Sequence, residues 1–121
     1  MDSSGWIEYF QDTPHADLFA AAIEDEALLL VQSISLFEVH RVLNRALPAD
    51  VVQTCLDVMR RGRVLDLTDR RAIAASEAVA RHGLALADAA IYSMALAHGA
   101  TLWTQDVDYK GLPGVHYSAK P

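Results

Sequence analysis

Leu28-Leu29-Leu30-Val31, followed by Gln32-Ser33-Ile34-Ser35-Leu36-Phe37-Glu38, decides the fold class. Four consecutive apolar residues between acidic and polar flanks are too few for a helix. The run suits a strand buried on both faces. Ser33 or Ser35 can then cap a helix from about Leu36 to Ala46. A doubly buried strand that feeds directly into a helix opens a βα unit.

The same alternation extends in both directions. Downstream, Pro48 opens a helix to about Arg61, and Gly62 closes it. Val64-Leu65-Asp66-Leu67 reads as a second short strand. Thr68 or Asp69 caps a helix to His82, ended by Gly83. Asp88 lies at the start of another helix, which ends at His98-Gly99. Ala100-Thr101-Leu102-Trp103-Thr104 reads as a third strand and Val115-His116-Tyr117 as a last one. Upstream, Ser3 or Ser4 caps a short helix through Phe10, and Thr13 with Pro14 starts another to about Glu24. Met1-Asp2 is too short to be a strand by itself. Short apolar strands alternating with longer helices predict an α/β fold with a parallel sheet and helices on both faces. Neither repeat nor linker interrupts the pattern, and a length of 121 residues predicts a single domain over 1–121.

Composition narrows the function. The formal net charge is −6, whereas a protein that holds nucleic acid by charge alone is usually basic. A nucleic-acid role here needs another device, such as metal ions that neutralise acidic ligands. Cys55 is the only cysteine, so no intramolecular disulfide forms. No apolar run approaches the roughly 20 residues of a membrane span, and with Asp2 directly after Met1 no signal peptide is expected. The expected location is cytoplasmic. His15, His40, His82, His98 and His116 lack zinc-ligand spacing. Glycine-rich phosphate loops, GxSxG and CxxC are absent.

Four carboxylates stand where helices or strands begin or end: Asp2, Glu38, Asp88 and Asp106. In an open parallel sheet, sites form at the carboxyl ends of the strands. Each acid also has an ordinary explanation. Asp2 before two serines fits an Asx turn or helix cap. Asp88 complements a helix dipole. Asp106 fits a turn, with Asp108 beside it as a further ligand or a loop acid. Glu38 lies on or beside the apolar stripe of Ile34 and Val42, so it needs a partner: Arg41 or a metal.

Taken in order, these segments resemble a known family. Asp2-Ser3-Ser4-Gly5-Trp6-Ile7-Glu8-Tyr9-Phe10 resembles the opening motif of PIN-domain ribonucleases, in particular VapC-type toxins of toxin–antitoxin pairs. Ser35-Leu36-Phe37-Glu38-Val39 is similar to their second acidic motif. Leu86-Ala87-Asp88-Ala89-Ala90 and the residues to Ala95 are similar to the third, and Leu102 through Tyr109 to the fourth. The resemblance implies a three-layer, Rossmann-like α/β/α fold and a Mg²⁺- or Mn²⁺-dependent endoribonuclease. It also implies a cognate antitoxin and a toxin homodimer. Carried over by position, Asp2, Glu38, Asp88 and Asp106 are the metal-binding catalytic acids. Ser4 supports the first acid, Thr104 supports the fourth, and Asp108 assists. One departure stands out: the family's first acid ends a complete apolar strand, and here only Met1 precedes Asp2. Either a few apolar residues belong ahead of Met1, or the first strand is truncated, which leaves a sheet edge unpaired and Asp2 on a mobile terminus.

The chemistry follows from the ligands. Mg²⁺ prefers oxygen donors and keeps several waters, which leaves room for a phosphate. A bound cation acidifies water and stabilises charge in an in-line displacement. The expected reaction is hydrolysis of an RNA phosphodiester to 5′-phosphate and 3′-hydroxyl ends. Arg41 and Arg45, one and two turns beyond Glu38, can contact substrate phosphates or pair with surface acids. Two rivals stand beside this reading. One is a catalytically weak or inactive PIN-fold interaction module. The other is a Mg²⁺-dependent phosphatase, which would need a lysine near its nucleophile, and Lys110 and Lys120 both come late.

Overall fold

A computed structural model of the chain describes residues 1–11, 16–25 and 28–119. The Thr13–Pro14 helix start lies outside the described residues. The order is α1 (Ser3–Phe10), α2 (Ala16–Glu24), β1 (Leu30–Gln32), α3 (Ser33–Leu43), α4 (Ala49–Arg60), β2 (Arg63–Leu65), α5 (Asp69–His82), α6 (Leu86–Ala97), β3 (Leu102–Thr104) and β4 (Val115–Tyr117). A 3₁₀ turn over Val107–Tyr109 links the last two strands.

All strand pairing is parallel, as the alternation of strand and helix requires. β1 pairs with β2 in the register Leu30–Arg63, Val31–Val64 and Gln32–Leu65. β3 pairs with β4 as Leu102–Val115, Trp103–His116 and Thr104–Tyr117, and the Trp103 ring stacks on His116. Among the described residues the two pairs form separate sheets. Met1 and Asp2 make no strand, but the Asp2 N–H donates to the Trp103 carbonyl at 3.2 Å, on the edge of β3. Among the described residues no strand pairs with that edge of β3.

Two apolar clusters hold the layers. Trp6, Phe19, Val31, Val39, Leu43 and Met59 pack together, with Cys55 partly buried against them. Ile91, Tyr92, Leu102 and Tyr109 anchor the second cluster. Trp6 is fully buried there, and Cys55 fills space at the cluster's margin as a small apolar residue.

Several boundaries move from the sequence-based expectation, each for a local reason. The strand expected at Leu28–Val31 lies at Leu30–Gln32, because Leu28 sits in a turn closed on the Asp25 carbonyl and is 78% exposed. Gln32 tolerates burial by donating its side-chain amide to the Ile91 carbonyl. Ser33 and Ser35 are helical residues, not caps; α3 starts at Ser33 without a side-chain cap bond. Neither Ser3 nor Ser4 caps α1: Asp2 does, accepting from the Gly5 N–H at 3.3 Å. The second strand ends at Leu65, where the Asp66 carbonyl instead receives the Thr68 N–H and the Arg71 guanidinium. Thr68 caps α5, and Gly83 ends it at φ 69°, a left-handed conformation that glycine adopts without strain.

Leu102 is fully buried and Thr68 is exposed. Leu102→Ala is expected to cost about 2–5 kcal/mol through cavity formation. Thr68→Ala should cost only about 1 kcal/mol through loss of the cap. Urea unfolding midpoints at constant slope test the ranking.

Candidate metal and catalytic site

The site grows from four chain segments: the entry into α1, the first half of α3, the start of α6, and the stretch that follows β3. Asp2 is 3% exposed, a position that would normally expel a carboxylate. Its oxygens are satisfied locally. Ser4 Oγ donates to both, at 3.0 and 2.9 Å, and the Gly5 N–H donates to Oδ1. The Thr104 hydroxyl also bonds this carboxylate, and Thr104 Oγ1 accepts the Asp106 N–H at 2.9 Å. Burial pushes the Asp2 pKa upward, against the pull of these donors. The mobile terminus expected for Asp2 is therefore replaced by a buried, hydrogen-bonded one. The capping geometry, with extended backbone at Asp2, fixes it from the helix side.

Asp88 projects from the first turn of α6, as its place in the sequence predicts. The Tyr109 hydroxyl lies 3.2 Å from Asp88 Oδ1 and 3.1 Å from the Asp88 carbonyl. Desolvation, then the negative charges of Asp106, Glu38 and Asp2, raise the Asp88 pKa to about 6; the Tyr109 hydrogen bond opposes this. Burial and the facing carboxylates push the Tyr109 hydroxyl pKa upward, so it serves as a donor. Asp106 begins the 3₁₀ turn and accepts the Asp108 N–H at 2.9 Å. Asp88, Asp106 and Asp108 each offer a carboxylate oxygen, and these lie within 4.8 Å of one another.

Asp2 and Glu38 stand outside that triad, yet both are near enough for their charge to act on Asp88. Glu38 does not pair with Arg41; its Oε1 accepts from Ser3 Oγ at 2.6 Å. Arg41 and Arg45 are exposed and, with Glu38, Phe37 and Val42, line a small cavity of about 260 Å³. Two contributors escaped the sequence reading. Ser3 sits inside the opening motif, where its neighbour drew attention instead. Tyr109 follows Asp108 directly, but nothing local signals that its hydroxyl reaches a residue 21 positions away.

All-oxygen donors on several elements fit a hard divalent cation. The geometry and the repulsion among the acids supply the reason for one to bind.

Comparison with known proteins matches the chain to a family. The PIN domain family model matches residues 1–115. A toxin–antitoxin complex from Klebsiella pneumoniae contains a chain that superposes with a TM-score of 0.80 at 21% identity, covering 95% of this chain and 92% of that one. A chain of VapBC2 from Rickettsia felis, bound to a DNA fragment from its promoter, superposes with a TM-score of 0.70 at 19% identity, covering 97% and 94%. No curated protein sequence gives a significant match.

The raised pKa sets a pH dependence. Asp88 binds its proton more tightly folded than unfolded, where the ordinary value is 3.8. The corresponding stability is fully present below that value and is lost as pH rises through about 6. In metal-free protein, Asp88→Asn should therefore raise the melting temperature near neutral pH and give little gain at about pH 4. Thermal melts across that range test it; a gain at low pH that vanishes at neutrality would contradict the assigned electrostatics.

Proposed function

The chain belongs to the PIN-domain family, and from that premise we propose that it is a metal-dependent endoribonuclease toxin held in check by a cognate antitoxin. The observation that carries this reading is the convergence of Asp88, Asp106 and Asp108 within 4.8 Å, with Asp2 and Glu38 close by. The toxin–antitoxin assemblies among the structural neighbours support the antitoxin partner. A homodimer, a cytoplasmic location and a single domain over 1–121 belong to the same proposal. No helix among the described residues is long and apolar enough to cross a membrane.

In this reading Asp2, Glu38, Asp88 and Asp106 hold Mg²⁺ or Mn²⁺, and Asp108 assists. When bound, the cation neutralises the acids, acidifies water and draws in the scissile phosphate. The protein's own groups do the positioning. Ser4 and Thr104 hold Asp2, Ser3 holds Glu38, and Tyr109 holds Asp88. With a pKa of about 6, Asp88 is mostly a carboxylate at neutral pH and ready to act as a ligand. Arg41 and Arg45, exposed beside Glu38, contact substrate phosphates. Water adds to phosphorus, the bond to the 3′ oxygen breaks, and that oxygen takes a proton. The products are 5′-phosphate and 3′-hydroxyl ends.

Antitoxin-free protein should cleave total RNA with Mg²⁺ and fail in EDTA. Asp88→Asn should lose about a hundredfold or more of the activity. Because the same substitution is expected to stabilise the metal-free fold, that loss would not reflect unfolding. Cleavage that persists in EDTA would overturn the metal site. Mn²⁺ binding by titration calorimetry without any cleavage would favour the interaction module.

A further inference from the structure

Glu8 is a buried carboxylate for which the proposed chemistry has no use. It is 6% exposed, in a stretch of α1 whose other residues from Trp6 to Phe10 are aromatic or apolar. An apolar side chain of similar size would spare the fold the desolvation of a charge, and such replacements are often neutral or stabilising. What Glu8 has instead is a partner from a distant segment. Its Oε2 accepts from the Gln105 side-chain amide at 3.0 Å, across 97 positions of sequence. Gln105 stands between Thr104 and Asp106, which are themselves joined at the site.

We infer that the Glu8–Gln105 bond is a positioning contact that holds Asp106, the fourth candidate acid, in register with α1. Three observations carry it. First, the stretch from Thr104 to Asp106 is tied to α1 at two places. Thr104 bonds the Asp2 carboxylate at the helix cap, and Gln105 bonds Glu8, six residues and about 9 Å further along the axis. One attachment leaves a segment free to swivel, and two fix its direction. Second, Asp106 leaves directly from this clamp. Its N–H is held by Thr104 Oγ1 at 2.9 Å, and its Oδ1 accepts the Asp108 N–H at 2.9 Å, so the turn that carries both acids inherits that direction. Third, α1 already mounts two other acids. Asp2 caps it through the Gly5 N–H, and Ser3 in its first turn donates to Glu38 at 2.6 Å. With Glu8, the first, second and fourth acids are all referred to one short helix.

The chemistry of the pair suits positioning. Apolar contacts slide, whereas a hydrogen bond weakens steeply as its angle departs from linear. A bond to an ionised acceptor is also roughly twice as strong as a neutral one. Glu8 is not among the acids whose oxygens converge, and its Oε2 is occupied by the Gln105 amide, which is a donor and holds nothing for a cation. The precision matters because metal affinity depends on ligand spacing within a few tenths of an ångström. This role rests on the metal-binding reading of Asp106 proposed above, whereas the hold on the turn is a property of the metal-free fold.

The test compares the full chain, free of antitoxin, with Gln105→Leu, Gln105→Glu and the reciprocal double variant Glu8→Gln with Gln105→Glu. The first variant keeps the bulk and removes the donor. The second sets two carboxylates against each other, and the third restores a bond with donor and acceptor exchanged. Amide exchange is read without metal, and Mn²⁺ affinity is read by titration calorimetry. Both single variants should speed exchange at Asp106 and Asp108 about fivefold or more, while the Leu102 amide, bonded to the Gly114 carbonyl, keeps its rate. Their Mn²⁺ affinity should fall about tenfold or more, and the double variant should recover both readings. Wild-type exchange at Asp106 and Asp108 in Gln105→Leu, or wild-type Mn²⁺ affinity in that variant, would overturn the inference. So would acceleration shared equally by Leu102, which marks a general packing contact, or a double variant no better than Gln105→Glu. Absence of Mn²⁺ binding by the wild-type chain would instead sink the metal reading, and the exchange rates would still decide whether this bond holds the turn.

Discussion

Everything near the site hangs on how a buried carboxylate at Asp2 is satisfied. Placing an unpaired carboxylate in the interior costs several kcal/mol. Here the cost is offset by two distant segments of the chain meeting on one side chain. Ser4 and Gly5 bring α1 to it, and Thr104 brings the end of β3. The same residue's backbone bonds Trp103. One short side chain therefore sets the start of the first helix, its height against the last sheet, and the orientation of Asp106, whose N–H is held by Thr104.

The second constraint opposes the first. Hydrogen bonds gather acids, and gathered acids repel. Asp88 carries that tension, with desolvation and three like charges acting against one hydroxyl. A core built only for stability would not assemble this group. The fold tolerates it because each carboxylate has its own hydroxyl donor: Ser4 for Asp2, Ser3 for Glu38 and Tyr109 for Asp88. A divalent cation bound there, as proposed, would convert the same arrangement from a liability into a source of stability, since binding to the folded state alone stabilises it.

The parts of the fold legible in the sequence are those decided locally. Gly83 after a helical pattern, Thr68 before one, and the apolar runs near Val31, Leu65 and Leu102 each carry their own signal. Strand limits were less legible, because they depend on where a partner stops offering carbonyls. Leu28 has the right composition but sits in a turn, and Gln32 looks polar yet is buried through a bond to a helix 59 residues away. The candidate acids could be named from motif order, since their types and positions are local. Their supporting groups divide. Ser4 acts two residues from Asp2 and is readable. Ser3 reaches Glu38 across 35 residues and Tyr109 reaches Asp88 across 21, and no periodicity encodes such contacts.

The split sheet and the acidic site are consequences of one geometry. Asp2 is held from two sides, by α1 ahead of it in the chain direction and by β3 beside it. On the β1 side, α3 is tied to the start of α1 by the Ser3–Glu38 bond. Motion of one sheet relative to the other would therefore pass between Glu38, carried by the β1–α3 half, and Asp106, carried by the β3 half. Metal affinity depends on ligand spacing within a few tenths of an ångström. Whatever fixes the two sheets against each other thus also fixes the distance between the second and fourth acids. Packing between the two strand pairs and the spacing of the candidate acids are in this protein the same mechanical problem.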